Sequence, residues 1–592
     1  PLYVPAPVCS AFASLHGAIA VLAALRARDR GAGGTRLEVP LVNAGISTCT
    51  RSFVYDGGRL RAEGPPAETL PPFLAELAVA SDDDERTRAD KQAAFARLAP
   101  PIFTTHLYRT ADDRRLLVMP IKPEMAQRFF ALLGLEGRLR AEGFVIESPW
   151  ERFDAGQANL ASAWTLSRER ALRVIELVEG VIAKESGAHW ERVFAEAGIP
   201  VTYLRTREEW LGTASLLEGG LLTRMDDGGS ELVVPGPLAD VRMPGSAAPT
   251  PPAREPAPLA RGEVPSVFSA ARAGACDERG RAESAPGTTR KRDLLAGLKV
   301  LDLCNVVAGP NAAYTLAQLG AEVIRIEPPR SFNLPMHLEW TLEVNQGKRS
   351  TILDLSTVPG REVFARLVRW ADVVVHNRLD DVAERLGMSA EQLQAIDPDV
   401  VVCQNTAFGG PRPSFWDRVP GYDPMPNLAS GLDAFAGTPE APRGMTEIFA
   451  DLMGGLGTAF AAMLALHVRE RTGDAPRGGS SLARGAHHYQ LPNLIAEDGA
   501  VRSTEGAGPD ARGVAPWQRM YACRDGWIYV GARAEEAGRL AQTVAGRADA
   551  EEADLEAAFQ AGEVSHWQSV LSSIDVGSHR LVSLDELCGP SE

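Results

Sequence analysis

The chain has 592 residues, 45% hydrophobic and 23% charged, the balance of a globular protein with room for about three or four domains. A formal net charge of −16 argues against a nucleic-acid partner, which asks for a basic stripe. The longest apolar runs, 18–25 and 459–466, are far shorter than the roughly 20 residues of a membrane span, so no membrane is expected either.

The first expected element is a helix over SAFASLHGAIAVLAAL (10–25). No charged-then-apolar leader precedes it, and Pro1 stands inside a motif, so the sequence is expected to be clipped at its start. HLYRTADDRRLLVM (106–119), a helical stretch with His189-Trp190, and GIPVTYLRTREEWL continue a first α/β region. Residues 244–293 are rich in Pro, Ala, Gly and Arg and cannot bury enough apolar surface to fold alone, which predicts a linker. Its basic run, Arg290-Lys291-Arg292, reads as a solvated end.

Beyond the linker, strands and helices alternate. LKVLDLCNVVAGP (298–310) reads as a buried strand closed by a Gly-Pro turn. A helix over 311–321 follows, with Gly320 near its end, then a strand at 323–329 stopped by two prolines. A strand at 350–355, a helix over 359–370, a strand at 371–377, a helix through Leu386 and a strand at 399–409 complete the series. Such alternation predicts a parallel, doubly wound sheet.

The segment DLMGGLGTAFAAMLAL (451–466) then lies over 10–25 without a gap, at a constant offset (451 − 10 = 441). Arg28-Asp29-Arg30 falls on Arg469-Glu470-Arg471, Arg36 on Arg477 and Leu41 on Leu482. Further on, RMYACRDGWIYVG (519–531) resembles 106–119, and His566-Trp567 resembles His189-Trp190. A period of hundreds of residues means domain duplication. The expected organisation is a first, incomplete copy over 1–243, a linker over 244–293 and a second copy over 294–592. The second copy divides into a nucleotide-fold part (294–450) and a part with the repeated helix and a small α/β region (451–592). It also stops short of the first, so the sequence is expected to be clipped at its end as well. The copies differ at one decisive position, Asp451 against Ser10. The seven cysteines, Cys9, Cys49, Cys276, Cys304, Cys403, Cys523 and Cys588, form no CxxC pair, as expected of reduced thiols in a cytoplasmic protein.

LKVLDLCNVVAGP, LAQLGAEVIRIEPP, NQGKRSTILDL, ADVVVHNRLDDVAERLGM, GYDPMPNLASGL and ADLMGG followed by LHVRERTG occur in this order. Together they resemble the class III CoA-transferases, the CaiB/BaiF or formyl-CoA transferase family. The resemblance covers the chain outside the linker. It implies a Rossmann-like large domain, a smaller α/β domain and two interlocked rings, either as a homodimer or as an intrachain pseudo-dimer of tandem halves. It implies acyl-CoA and a carboxylic acid as substrates, no permanently bound cofactor, and a catalytic aspartate that ADLMGG places on Asp451.

In that chemistry the Asp451 carboxylate attacks a thioester carbonyl and CoA thiolate leaves, splitting one hard step into easier covalent ones. Gly454 and Gly455 are expected to let the thioester and substrate approach the backbone. On pattern alone, Asp451 also reads as a helix N-cap. Asn305, Val307 and Ala308 occupy the first strand–helix turn, where open α/β sheets bind ligands. The family contacts CoA there, often through a Gln where this chain has Val307. Lys348 and Arg349 suit the phosphates of CoA, or else form a solvated pair. Asn377 and Arg378 end a strand at the same sheet edge, with Arg385 as a further member of the group.

Tyr422, beside Asp423, separates two enzyme classes. The racemases of the superfamily resemble this chain but need a His at the Tyr422 position. A tyrosine of ordinary pKa near about 10 is a poor base, so transfer is favoured over racemase or isomerase chemistry. Otherwise Tyr422 packs or positions substrate. A CoA-transferase-linked lyase of the same superfamily is a further alternative, and a catalytically inactive scaffold or partner subunit is another. His487 and His488, read on a strand, point to opposite faces, so no metal is expected. The stretch 505–513 reads as a lid or a surface loop. No GxGxxG follows the first strand, which argues against a dinucleotide site even though Glu327 mimics its ribose-binding acid.

Overall fold

Short strands, most of them separated by helices, assemble into one seven-stranded sheet. Its order is Asp240–Arg242, Arg477–Ser481, Val401–Thr406, Val373–His376, Lys299–Asp302, Glu322–Glu327 and Arg349–Ile352. Every pairing is parallel except that of Asp240–Arg242, which runs antiparallel to Arg477–Ser481. The computed structural model describes residues 3–48, 55–56, 59–60, 102–147, 158–161, 166–243, 294–329, 338–445, 447–502, 506–507 and 510–582. The expected linker lies outside the described residues, as do Cys49, Cys276 and Cys588. Cys9, Cys304, Cys403 and Cys523 are free thiols.

A parallel sheet must be covered on both faces, and here alternate residues of each strand feed two cores. Val300, Val373, Val375 and Val401 join Leu316 of the helix Ala308–Gln318 and Leu456 of the helix Phe449–Thr472. Leu301, Val374 and Val402 pack with Phe364, Ala383 and Leu393 from the helices Val358–Trp370, Asp380–Leu386 and Ala390–Ile396.

One expected boundary is wrong. The first strand ends at Asp302, and Gly309-Pro310 opens a helix instead of closing a turn. Pro310 is tolerated there because the first turn has no intrahelical acceptor for its missing N–H.

Two helices are longer than the apolar runs that mark them. Val8–Asp29 and Phe449–Thr472 are each long and apolar enough, by length and composition, to cross a membrane. Of the apolar window, 89% is buried inside the protein in the second helix and 33% in the first. They pack on each other, with Arg26 paired to Glu470.

Residues from before the linker are built into structure that follows it. Beside the edge strand Asp240–Arg242, the hairpin Leu222–Asp227 and Ser230–Pro235 forms a four-stranded sheet with Ala496–Glu497 and Ala500–Val501. Arg484 locks the join, donating to the Asp240 carboxylate at 2.6 Å and to the Pro237 carbonyl at 2.6 Å.

Two smaller sheets share details. Tyr108 donates its hydroxyl to the carbonyl of Phe103 at 2.9 Å, and Tyr521 to that of Pro516 at 2.5 Å, five residues upstream in each case. Trp190 and Trp567 donate their indole N–H to carbonyls eight residues upstream, at 2.8 and 3.0 Å.

Candidate active site

The carboxyl end of the sheet gathers several of the expected residues. The Asn305 amide donates to the Asn377 side-chain oxygen at 2.9 Å, and the Asn377 amide group donates back to the Asn305 carbonyl at 2.8 Å. This reciprocal pair ties two strand–helix turns together. Between them Val306 has φ 63°, a left-handed conformation that is costly for a β-branched residue. Val307 is 1% exposed and belongs to the core, so its side chain has no access to a nucleotide. Ala308 is also buried, and its carbonyl lies against Gly455. Arg378 follows Asn377, and its Nε is buried without a hydrogen-bond partner. Burial lowers the Arg378 pKa.

Lys348 corrects an expectation. Its ammonium is 1% exposed and donates to Asp302 at 2.8 Å, to the Pro310 carbonyl at 2.8 Å and to Asn345 at 2.9 Å. All three donors of the ammonium are spent, so Lys348 braces the sheet instead of holding phosphate. Arg349 points away on the edge strand and pairs with Glu322, both largely exposed. Arg385 is exposed in the last turn of its helix. Glu327 pairs with Arg325, a neighbour two residues away, which accounts for the acid that mimicked a ribose contact.

Asp451 is the third residue of the helix Phe449–Thr472 and is 7% exposed. It is therefore not the N-cap; that position is Ile448, which supplies no side-chain cap. The cap comes from outside the helix. The Asp451 amide donates to the Asp423 carboxylate at 2.9 Å, and the Ala450 amide also donates to it. A carboxylate suits this place, where unpaired N–H groups and the helix dipole favour negative charge.

Burial pushes the Asp423 carboxyl up to about 7, against the opposing pull of the two backbone N–H bonds. Burial, and then the Asp423 charge, push Asp451 well above the usual carboxylate range. Two buried carboxyls so placed ionise one at a time. Burial and the Asp451 charge also raise the Tyr422 phenol, which makes it a still poorer base.

Gly454 and Gly455 serve packing and do not open space for a substrate. A Cβ on Gly454 would lie 3.2 Å from the Leu482 Cα, and one on Gly455 would strike the Ala308 carbonyl and Asn311. Asn311 donates its side-chain amide to the Leu452 carbonyl at 3.0 Å, which fixes the next turn of the helix.

Asp423 is the residue that sequence reasoning passed over as a site member, although the GYDP motif displays it. A buried polar layer stands behind it. Tyr489 donates to Asn427, and Gln490 donates to Ser430 at 2.9 Å. Asp433, also buried, is pushed well up by burial and by the Asp423 charge. In the stretch expected as a lid, the Ala507 amide donates to the Phe435 carbonyl at 3.0 Å; residues 505, 508 and 509 lie outside the described residues.

His487 and His488 sit on the helix Leu482–Tyr489, not on a strand. His487 accepts the Trp210 indole N–H at 2.8 Å, and burial holds it down to about 4, so it is a neutral core group. Among the described residues, no group of three or more His, Cys, Asp or Glu side chains is placed to hold a metal.

The model of CoA-transferase family III matches residues 1–260 and 295–581. The CoA-transferase/lyase DddD of a Marinomonas species is 27% identical over 91% of this chain and 64% of its own length. Acetyl-CoA:oxalate CoA-transferase of Acetobacter aceti is 35% identical over 30% of this chain and 48% of its own. Succinate–glutarate CoA-transferase of Agrobacterium fabrum is 33% identical, also over 30% of this chain and 48% of its own. The chain thus spans less than two thirds of the length of each of these relatives. It belongs to CoA-transferase family III.

Proposed function

We propose that the chain transfers coenzyme A from an acyl-CoA thioester to a carboxylic acid through a covalent intermediate on Asp451. The observation that carries this reading is the buried Asp451 carboxyl in the first turn of a helix whose N-terminus is capped by Asp423. Ionised Asp451 attacks the thioester carbonyl, forming a mixed anhydride and releasing CoA thiolate. The thiolate attacks the aspartyl carbonyl, giving an enzyme–CoA thioester and the free acid. The acceptor carboxylate attacks that thioester, expelling the thiolate and forming a second mixed anhydride; the thiolate then attacks the acceptor's acyl carbonyl, giving the new acyl-CoA and freeing the Asp451 carboxylate. Arg378, Asn305 and Asn377 are the residues at the sheet edge best placed to meet the CoA moiety.

We read residues 1–243 and 294–592 as related units joined by the linker, with a Rossmann-like part over 294–450. The paired tyrosine and tryptophan bonds support a duplication. The packing of Val8–Asp29 on Phe449–Thr472 supports an intrachain pseudo-dimer, in which only the second unit has the nucleophile.

A second reading, transfer followed by elimination on the bound acyl group, is favoured by one finding. The relative matched over 91% of this chain is a CoA-transferase/lyase. Incubation with an acyl-CoA followed by hydroxylamine tests the shared covalent step. A hydroxamate mapped to Asp451, absent from the Asp451→Asn variant, is expected; a folded wild-type chain that turns over but traps nothing there would overturn the reading. Analysis of the organic products for an unsaturated acid separates lyase from transferase.

A further inference from the structure

A hairpin in the first part of the chain sets two arginines face to face. Leu107–Arg109 pairs with Arg115–Val118 so that Arg109 stands directly opposite Arg115. Like charges in that relation destabilise a strand pair. The hairpin Gln518–Cys523 with Gly526–Gly531 places Ala522 opposite Trp527. Tyr108 and Tyr521, each one residue earlier and each bonded five residues upstream, put the two pairs at the same register. The first hairpin therefore carries repulsion where its counterpart shows that none is needed to form the strands.

Both arginines line a cavity of about 190 Å³ at the seam between residues from before and after the linker. Arg114, Arg205, Thr206 and Glu440 complete much of its wall. Arg114 is held by Glu209 at 2.9 Å and Arg205 by Glu191 at 3.0 Å, so carboxylates already neutralise these two. Arg109 has Asp113 at 2.9 Å, but the side chains are 56% and 73% exposed, and such a pair is worth little. Arg115 is half-buried, and its guanidinium has no ion-pair or hydrogen-bond partner among the described residues.

We propose that this cavity is an oxyanion site that takes a phosphate or carboxylate group between Arg109 and Arg115. Two guanidinium forks match the oxygens of either group, and an anion between them turns their repulsion into attraction. At about 30 Å³ for each water, the cavity has room for a phosphate with part of its hydration. The group belongs either to the phosphates of a CoA thioester or to a free carboxylic acid. The site is independent of the covalent chemistry proposed for Asp451, because it is read by binding alone.

The test uses the full chain and inorganic phosphate at constant ionic strength, followed by calorimetric titration and by thermal melting. Wild type is expected to bind phosphate and melt higher with it. Arg115→Gln should weaken binding about tenfold or more, the effect of losing a charged hydrogen-bond donor, and Arg109→Gln with Arg115→Gln should abolish it. Without phosphate, both variants should be at least as stable as wild type, because the repulsion is relieved. Displacement of phosphate by CoA but not by succinate identifies the nucleotide as the source, and the reverse identifies the acid. Equal phosphate binding by wild type and the double variant overturns the proposal. So does a double variant that melts below wild type in phosphate-free buffer, since the arginines would then be structural.

Discussion

Asp423→Asn is the most informative perturbation, because one carboxyl both caps a helix and faces the proposed nucleophile. The side chain is nearly isosteric and keeps one oxygen for the Asp451 amide. What it removes is a proton-binding site whose pKa is raised to about 7 from 3.8. The sign follows from the raised value. In the interval between the two pKa values the folded state holds a proton that the unfolded state has lost, so this contribution is full below the lower value and fades as pH rises through about 7. Each pH step in that interval costs about 1.4 kcal/mol, so wild type loses roughly 3 kcal/mol from this group between about pH 5 and pH 7. The variant lacks that term, and the Asp451 pKa should also fall once the neighbouring charge is gone. Urea unfolding of both proteins at about pH 5 and pH 8 reads the effect as a difference of differences, in which any pH-independent loss of capping cancels and the fall in the Asp451 pKa adds in the same direction. Wild type should lose about 3 kcal/mol more than the variant on going to the higher pH. Equal losses would refute the reasoning, and so would a pH profile of hydroxamate trapping that does not move to lower pH in the variant.

The other residues invite simpler tests. Gly455→Ala drives a Cβ into the Ala308 carbonyl and should cost about 1–3 kcal/mol in urea unfolding, from overpacking between two core helices. Lys348→Met leaves the buried Asp302 with Arg325, at 3.6 Å, as its remaining counter-charge and the Cys304 amide as a hydrogen-bond donor, and should cost about 3 kcal/mol with CoA affinity unchanged in the folded fraction. A stable Lys348→Met protein with weakened CoA binding would restore the phosphate role that the geometry withdraws. Arg378→Gln should weaken CoA binding about tenfold with little change in melting temperature, since the Nε has no protein partner to lose.

What the sequence made legible follows from the period of its patterns. The Val-rich runs around 374 and 402 are apolar at their centres, the mark of strands buried on both faces, and both are strands, as is the run around 300 with Lys299 and Asp302 at its ends. The helix at Asp451 was visible through its repeat at Ser10. Long-range pairing is a different matter. Nothing local to Lys348 says that its ammonium is enclosed by Asp302 and Pro310, 46 and 38 residues away. Nothing local to Asp423 says that it caps a helix starting at Phe449. His487-His488 misled because an eight-residue helix, Leu482–Tyr489, is too short for its periodicity to stand out.

The pairing of Asp240 with Gly479 bears on how the protein is made. During synthesis the strand Asp240–Arg242 leaves the ribosome long before Arg477–Ser481 exists to receive it. Until then its unpaired backbone groups offer a template for pairing with other chains. Contacts this distant in sequence close slowly. Translation speed through 244–476 and the availability of chaperones should therefore govern the yield of native protein. Once seated, the same strand shields one margin of the large sheet, so a chain cut before Asp240 would expose that margin to aggregation.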